Sequence, residues 1–436
     1  MDKNLLRFFE EQKDETNERI EADTKRYRKA YVKVNFKDKD GKGAVVKNVQ
    51  IKQKSHDFKF GCNIFLLDEF PDAERNAIYR DEFKNIFNYA ISPFYWSDFE
   101  VEEGKMRFTS DSAPVYRRPS PDKVIKYCNE NGIGIKGHPL MWHGFVPEWL
   151  PRDRDEAYLQ LCRRIKEIGE KMSDKIRDWD IVNEVLVAPY LQDKRLPNNY
   201  PLCVYEQAAK YFKNNRFFLN DVTEICWGPY YKENLSPYYL LIESLLSKGA
   251  RIDALGMQYH LFWEEKDLDG IMQTYCNPER LFSVMDTYGE FNRPLHVSEI
   301  TVPAYMGIKE NEEYQAEITK WLYRIWFSHK NMEAIVWWNM VDGTAAYAPM
   351  GTYEGENKFA GGILGTKMQH KPVYNVMDDL INKEWKTNLS LKDCMGEYKF
   401  SGFFGTYEMT GVSDGKEFKK EFHISKDGNR KFDFTV

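Results

Sequence analysis

Two glutamates that each follow a short apolar run are the strongest chemical signal in this sequence. Glu184 comes directly after the run WDIVN (179–183), and Glu299 comes 115 residues later, directly after HVS (296–298). Runs of this kind are typical of buried parallel strands. A carboxylate at the C-terminal end of such a strand lies where a β/α barrel carries out its chemistry. Two carboxylates converging from distant strands predict hydrolysis of a glycosidic bond, which needs an acid and a nucleophile.

The elements that would position these glutamates occupy the middle of the chain, from about residue 57 to 384. Strand-like apolar runs alternate there with helical patterns, two of which begin at Ser-Pro pairs (120–121 and 236–237) and end at Gly132 and Gly249. This alternation predicts a (β/α)8 TIM barrel. An open doubly wound sheet is less favoured because no GxGxxG motif follows any strand. The predicted strands are residues 58–65, 89–95, 133–138, 178–183, 216–220, 254–260, 295–299 and 334–339.

Both ends of the chain have a different pattern. Residues 1–56 begin with a charged, amphipathic segment that predicts a leader helix, followed by two alternating runs around the turn DKDG (38–41), which predict a β-hairpin. Residues 385–436 return to short strands separated by glycine-containing turns. We therefore expect a small accessory β-module formed by the terminal segments, beside a catalytic barrel over 57–384.

Composition narrows the class of protein. The net charge is −6 and there is no basic stripe, so nucleic acid is not an expected partner. No apolar run reaches the ~18 residues of a membrane span. The first residues, MDKN, lack the apolar core of a secretory signal, so we expect either an intracellular protein or a secreted or periplasmic one whose signal has been removed, and favour the second. The seven scattered cysteines include no CxxC pair and do not indicate a disulfide framework.

Six segments near the predicted strand ends resemble family 10 of the glycoside hydrolases, the endo-β-1,4-xylanases. They occur in the family's order, and the resemblance, over about residues 57 to 384, covers roughly three quarters of the chain. The segments are GHPLMWH (137–143), WDIVNE (179–184), LND (219–221), GMQYH (256–260), SE (298–299) and WWNMVD (337–342).

The resemblance implies a retaining hydrolase without a cofactor or a metal. In it Glu184 is the general acid/base and Glu299 is the nucleophile, with the two carboxyls about 5–5.5 Å apart. A metal site at His138 and His143 is disfavoured because their spacing does not match a zincin helix. Taken alone, each neutral polar residue near the glutamates is more often a satisfied core group. The residues expected to bind the sugar are His138, Trp142, Asn183, Gln258, His260 and Trp338.

The second predicted strand departs from the family pattern. The family usually carries ENxxKW there, whereas this chain has ISPFYW (91–96), with Ser92 in place of Asn and Tyr95 in place of Lys. The tyrosine of the family's NDYN and the aspartate of its TELD are also absent, because Val222 and Thr301 stand there. The catalytic positions are kept while contacts to the sugar are changed.

We therefore expect a monomeric hydrolase of a plant-type polysaccharide, xylan or a decorated xylan. Three alternatives remain open at this stage. One is a hydrolase of a different β-linked polysaccharide, another is a transglycosylase with the same residues, and the third is a carbohydrate-binding pseudoenzyme. Intact Glu184 and Glu299 argue against the pseudoenzyme.

Overall fold

The computed structural model describes residues 6–187, 193–264, 268–304, 309–346 and 348–436. The strands of these residues are β1 (Lys29–Lys37), β2 (Val45–Gln53), β3 (Lys59–Asn63), β4 (Tyr89–Pro93), β5 (Gly134–His138), β6 (Met141–Trp142), β7 (Asp178–Asn183), β8 (Arg216–Asp221), β9 (Ala254–His260), β10 (Leu295–Thr301), β11 (Met332–Trp337), β12 (Asn388–Met395), β13 (Glu397–Phe403), β14 (Gly405–Ser413), β15 (Lys416–Ile424) and β16 (Lys431–Thr435).

The α-helices are α1 (Arg7–Glu11), α2 (Lys13–Tyr27), α3 (Ala73–Ile86), α4 (Trp96–Phe99), α5 (Pro121–Asn131), α6 (Arg154–Met172), α7 (Tyr200–Tyr211), α8 (Thr223–Cys226), α9 (Pro237–Ser247), α10 (Leu268–Tyr275), α11 (Pro278–Gly289), α12 (Lys309–Ser328) and α13 (Pro372–Asp378). Short 3-10 helices cover His143–Phe145 and Gly355–Phe359, and a π-helical turn covers Asp379–Glu384. None of the helices in the described ranges is long and apolar enough to span a membrane.

Eight strands form a closed parallel barrel in the order β3, β4, β5, β7, β8, β9, β10 and β11. The ring is completed where β11 pairs with β3 and where β5 pairs with β7. The short strand β6 lies beside β7. Each of the eight predicted strands overlaps one of these, so the prediction of a (β/α)8 barrel is confirmed and the open-sheet alternative is wrong.

The pairing of β5 with β7 depends on a glycine. Gly137 lies opposite Trp179 in the register. A Cβ atom on Gly137 would lie 2.4 Å from the Trp179 ring, which is too close for any side chain. The absence of a side chain on Gly137 therefore leaves room for the Trp179 ring, which packs against Phe94 and against Phe212 at the end of helix α7.

The predicted helix boundaries are confirmed for α5 and α9. Both have proline in the first turn after a serine, and the glycines that follow them, Gly132 and Gly249, have φ angles of 66° and 86°. Glycine adopts this left-handed conformation without the steric cost that other residues carry. The predicted leader helix is present as α1 and α2, although residues 1–5 of that prediction lie outside the described residues.

The terminal segments together form a β-sandwich. One sheet has the order β13-β1-β16 and the other has the order β12-β2-β14-β15. Their facing sides enclose a separate apolar core, whose buried members include Val32, Val34, Val46, Ile51 and Met409. Strands from both ends of the chain therefore share one core, as expected for an accessory module formed by the terminal segments.

The predicted β-hairpin of residues 32–51 is not a two-stranded ladder. The turn at 38–41 forms, and Lys37 bridges to Gly43, but β1 and β2 then enter different sheets. Period-two alternation fits both arrangements, because each strand needs only one buried face. The partners of β1 and β2 come instead from the C-terminal segment, a long-range choice that local patterning does not reveal.

Candidate active site

The C-terminal ends of the barrel strands surround a cleft of about 210 Å³. All eight residues expected to act in catalysis or sugar binding line it. They are His138, Trp142, Asn183, Glu184, Gln258, His260, Glu299 and Trp338. The cleft is thus assembled from β5, β6, β7, β9, β10 and the segment after β11.

Glu184 stands immediately after β7 with a φ angle of 53°, unusual for a residue with a side chain. Its backbone N–H donates to the carbonyl of Asn220 at 2.9 Å, which fixes this turn to the neighbouring strand β8. A left-handed residue costs free energy and is often found where a functional side chain must be aimed. The turn directs the half-buried Glu184 carboxyl into the cleft.

One amide group lies between the two glutamates. The Gln258 Nε2 lies 2.9 Å from Glu184 Oε1 and 3.0 Å from Glu299 Oε1, so it donates to both carboxyls. Because both oxygens are within hydrogen-bond distance of one nitrogen, they are at most about 6 Å apart, so the two carboxyls are close enough to act on one glycosidic bond.

Glu299 is surrounded by donors. Its Oε1 accepts from Asn220 Nδ2 at 3.0 Å, and its Oε2 lies 3.3 Å from His260 Nε2. Asn220 is itself oriented, because its Oδ1 accepts from the Ser298 hydroxyl and its Nδ2 also donates to Asn183. These contacts hold the Glu299 carboxyl in one orientation.

The surroundings of Glu184 raise the pKa of its carboxyl group. Burial, and secondarily the negative charge of Glu299, raise the pKa of Glu184 to about 8. Burial also raises the pKa of Asp221, below Glu184 at the end of β8, to about 7, although Val222 N and Leu186 N donate to it at 2.9 Å and 3.2 Å. At neutral pH Glu184 therefore carries a proton that it can donate.

His138 is fixed by a buried ion pair below it. Its Nδ1 lies 2.8 Å from Asp180 Oδ2, which Lys136 Nζ also contacts at 2.8 Å. Burial disfavours the charge on Asp180, but Lys136 and His138 outweigh burial and keep the pKa of Asp180 below its ordinary value. An ionised Asp180 accepts a hydrogen bond from the N–H at Nδ1 of His138. This contact orients the ring, and the other ring nitrogen, Nε2, lies 3.9 Å from Glu299 Oε1.

Aromatic rings form the wall on one side of the glutamates. Trp338 lies 5.4 Å from the His138 ring and 5.3 Å from Phe65, and Trp142 lies 5.9 Å from Tyr95. Tyr95 occupies the position where the resembled family carries lysine, and its ring is buried in this cluster. Ser92 is fully buried on β4 rather than in the cleft wall.

Several residues of the cleft were not predicted from the sequence. Arg117 and Arg118 come from the long loop after β4, and Glu356 comes from the 3-10 helix at Gly355–Phe359. Asn220 belongs to the segment LND (219–221), but its contacts with both Glu299 and Asn183 were not predicted.

Comparisons with known proteins agree with this fold. The family model described as Glycosyl hydrolase family 10 matches residues 75–379. The anti-sigma-I factor RsgI6 of Acetivibrio thermocellus is 24% identical over 92% of this chain and 47% of its own length. Endo-1,4-beta-xylanase B of Paenibacillus barcinonensis is 24% identical over 52% of this chain and 71% of its own length.

Among solved structures, native xylanase 10B from Thermotoga maritima superimposes with a TM-score of 0.59 at 18% identity, covering 75% of this chain and 96% of that one. This similarity concerns the fold. The chain spans about half the length of the anti-sigma-I factor that it matches.

Proposed function

Because this chain belongs to glycosyl hydrolase family 10, we propose that it is a retaining hydrolase of β-glycosidic bonds in a plant-type polysaccharide, xylan or a decorated xylan. The observation that carries this proposal is the amide of Gln258, which donates to Glu184 and Glu299 together. This shared donor supports the proposal because it holds the two carboxyls close together, as a retaining mechanism requires.

Glu184 and Glu299 take different roles because their surroundings differ. Glu299 attacks the anomeric carbon while the bond to the leaving oxygen breaks and the Glu184 proton passes to that oxygen. The glycosyl group is then an ester of Glu299. Glu184, now a carboxylate, takes a proton from water, and the water oxygen replaces Glu299 at the anomeric carbon. Two inversions leave the anomeric configuration unchanged.

The remaining predicted residues bind the sugar in this proposal. Asn183 is the donor to the 2-hydroxyl group, a hydrogen bond that strengthens toward the transition state. His138 and Gln258 contact the sugar beside the glutamates, and His260 holds Glu299. Trp142 and Trp338 present apolar ring surface to the sugar faces.

A panel of soluble β-linked polysaccharides tests the proposal by the release of new reducing ends. We expect release from a xylan-type polymer, with the new end formed first in the β configuration when followed by NMR. Glu299→Ala should remain folded and lose this activity, and azide should restore turnover of an activated aryl glycoside with inverted configuration. A folded Glu299→Ala variant that retains activity without azide contradicts the assignment.

A carbohydrate-binding protein without turnover is the second candidate. It is favoured by one observation, namely that the relative aligned over 92% of the chain is named as an anti-sigma-I factor and not as a hydrolase. The same panel separates the two candidates. A binding protein would be retained on xylan-type polymer in a pull-down and would release no reducing ends, with or without Glu184 and Glu299. For either candidate we propose a location outside the cell or in the periplasm, where polysaccharide is found.

A further inference from the structure

Arg117 is a buried cation in the cleft wall with little to neutralise it. Its side chain is 3% exposed, and its backbone φ angle of 61° is one that few residues with side chains adopt. Within the described part of the chain, its Nη2 donates to Asn339 Oδ1 at 2.5 Å, while its Nε and Nη1 are buried without a hydrogen-bond partner. Unpaired donors on a buried cation are costly unless an acceptor is supplied.

The acceptor that Arg117 does have is neutral and shared. Asn339 Oδ1 also accepts from Asn63 Nδ2 at 3.2 Å, so it cannot neutralise the guanidinium. Burial, and secondarily the neighbouring Arg118, lower the pKa of Arg117 to about 10, which leaves it charged at neutral pH. Glu356 lines the same cleft and is close enough for its charge to favour that of Arg117, but none of the described ion pairs joins the two residues.

Arg118 provides an internal comparison. It lies one residue along the same loop and lines the same cleft, but its Nε contacts Asp98 Oδ2 at 2.7 Å in an ion pair. Its guanidinium also lies 4.0 Å above the Tyr95 ring. The charge of Arg118 is therefore satisfied within the protein, and that of Arg117 is not.

We propose that the cleft binds a glycan carrying a carboxylate, a uronic acid unit, and that Arg117 recognises this carboxylate. The inference rests on the proposed function and specifies the class of substrate for that same site. An arginine–carboxylate contact provides charged hydrogen bonds and neutralises both groups at once. The carboxylate is supplied by the substrate because none of the described ion pairs includes Arg117, and two of its nitrogens have no hydrogen-bond partner.

A pair of substrates that differ in one group tests the inference. One is a xylo-oligosaccharide with a uronic acid branch, and the other is the same molecule with its carboxyl reduced to a primary alcohol. We expect wild-type kcat/KM to favour the acid by about tenfold or more, the scale of a charged hydrogen bond. Arg117→Met should bring this ratio close to one. Arg118→Met is the matched control and should keep the ratio, whatever it does to both rates.

Binding measurements keep the test independent of turnover and of folding. Calorimetric titration of the acid and the reduced oligosaccharide into wild type and Arg117→Lys reports recognition even if no glycan is cleaved, in which case the proposed function alone fails. If Arg117→Met does not fold, Arg117→Lys takes its place in the test. This variant keeps the positive charge and should retain a weakened preference for the acid over the reduced oligosaccharide. A sulfated oligosaccharide distinguishes a carboxylate site from a general anion site. Equal wild-type affinity for acid and reduced forms, or a ratio unchanged in folded Arg117→Met, overturns the inference.

Discussion

Replacing Glu299 by glutamine should lower the pKa of Glu184, because it removes one negative charge without changing the shape of the side chain. The nearest oxygens of the two carboxyls share the Gln258 amide, at 2.9 Å and 3.0 Å, and are therefore at most about 6 Å apart. At that separation and an effective dielectric constant of about 20, one charge contributes about 3 kcal/mol. This corresponds to a loss of roughly a hundredfold in proton affinity.

The pKa of Glu184 should nevertheless stay above its ordinary value in Glu299→Gln. Burial is the larger cause of the rise to about 8, and the substitution leaves burial in place. In wild type, the first chemical step should therefore fail as pH rises through about 8, because the general acid loses its proton. In the inactive variant, an NMR titration of glutamate labelled at the carboxyl carbon measures the same group directly.

Asp221→Asn is the control for this titration. Asp221 also raises the pKa of Glu184, but it ranks below burial and Glu299 as a cause, and it is itself partly protonated near neutral pH. Its replacement should therefore lower the pKa of Glu184 by less than Glu299→Gln does. A Glu184 pKa that is unchanged in Glu299→Gln, or that falls further in Asp221→Asn, would refute the electrostatic reasoning.

Three further predictions concern leaving groups, substrate and packing. Glu184→Ala should slow glycosylation by an aryl glycoside with a good leaving group less than it slows cleavage of the natural polymer, and equal losses would exclude Glu184 as the acid. Undecorated xylo-oligosaccharides should have kcat/KM values about one to two orders of magnitude below those of decorated or non-xylan oligosaccharides of equal length, because Tyr95 replaces a charged donor. A clear preference for the undecorated chain would mean that this replacement has no effect on substrate choice. Gly137→Ala should reduce the free energy of unfolding in denaturant by about 1–3 kcal/mol, because the new methyl group meets the Trp179 ring at 2.4 Å. Gly134→Ala, whose nearest contact is 3.0 Å, should cost less, and the reverse order would contradict the packing argument.

The barrel was predictable because each of its strands is a short apolar run between helices with clear boundary residues. A run such as 178–183 is buried on both faces, so its local composition already indicates its environment. The β-sandwich was less predictable. Val32 and Val46 alternate with polar residues as a hairpin would require, but their strands lie in opposite sheets of one core.

The residues of the candidate site also fall into a group that was predictable from the sequence and a group that was not. Residues at strand ends, such as Glu184 and Gln258, occupy positions that strand order alone brings to one end of the barrel. Arg117 and Glu356 come from irregular segments without periodicity, so nothing local indicates that they face the cleft. That two nitrogens of Arg117 have no hydrogen-bond partner can be recognised only from the three-dimensional positions of its neighbours.

The β-sandwich formed from both ends of the chain has a consequence for synthesis on the ribosome. Gln50 of β2 hydrogen-bonds to Ser390 of β12, which is 340 residues later. At about 5–20 residues per second, roughly 20–70 s separate the emergence of these two strands. During that interval β1 and β2 are exposed with unpaired edges, a state that favours pairing with other chains. The barrel can fold meanwhile, so the module is completed after the barrel.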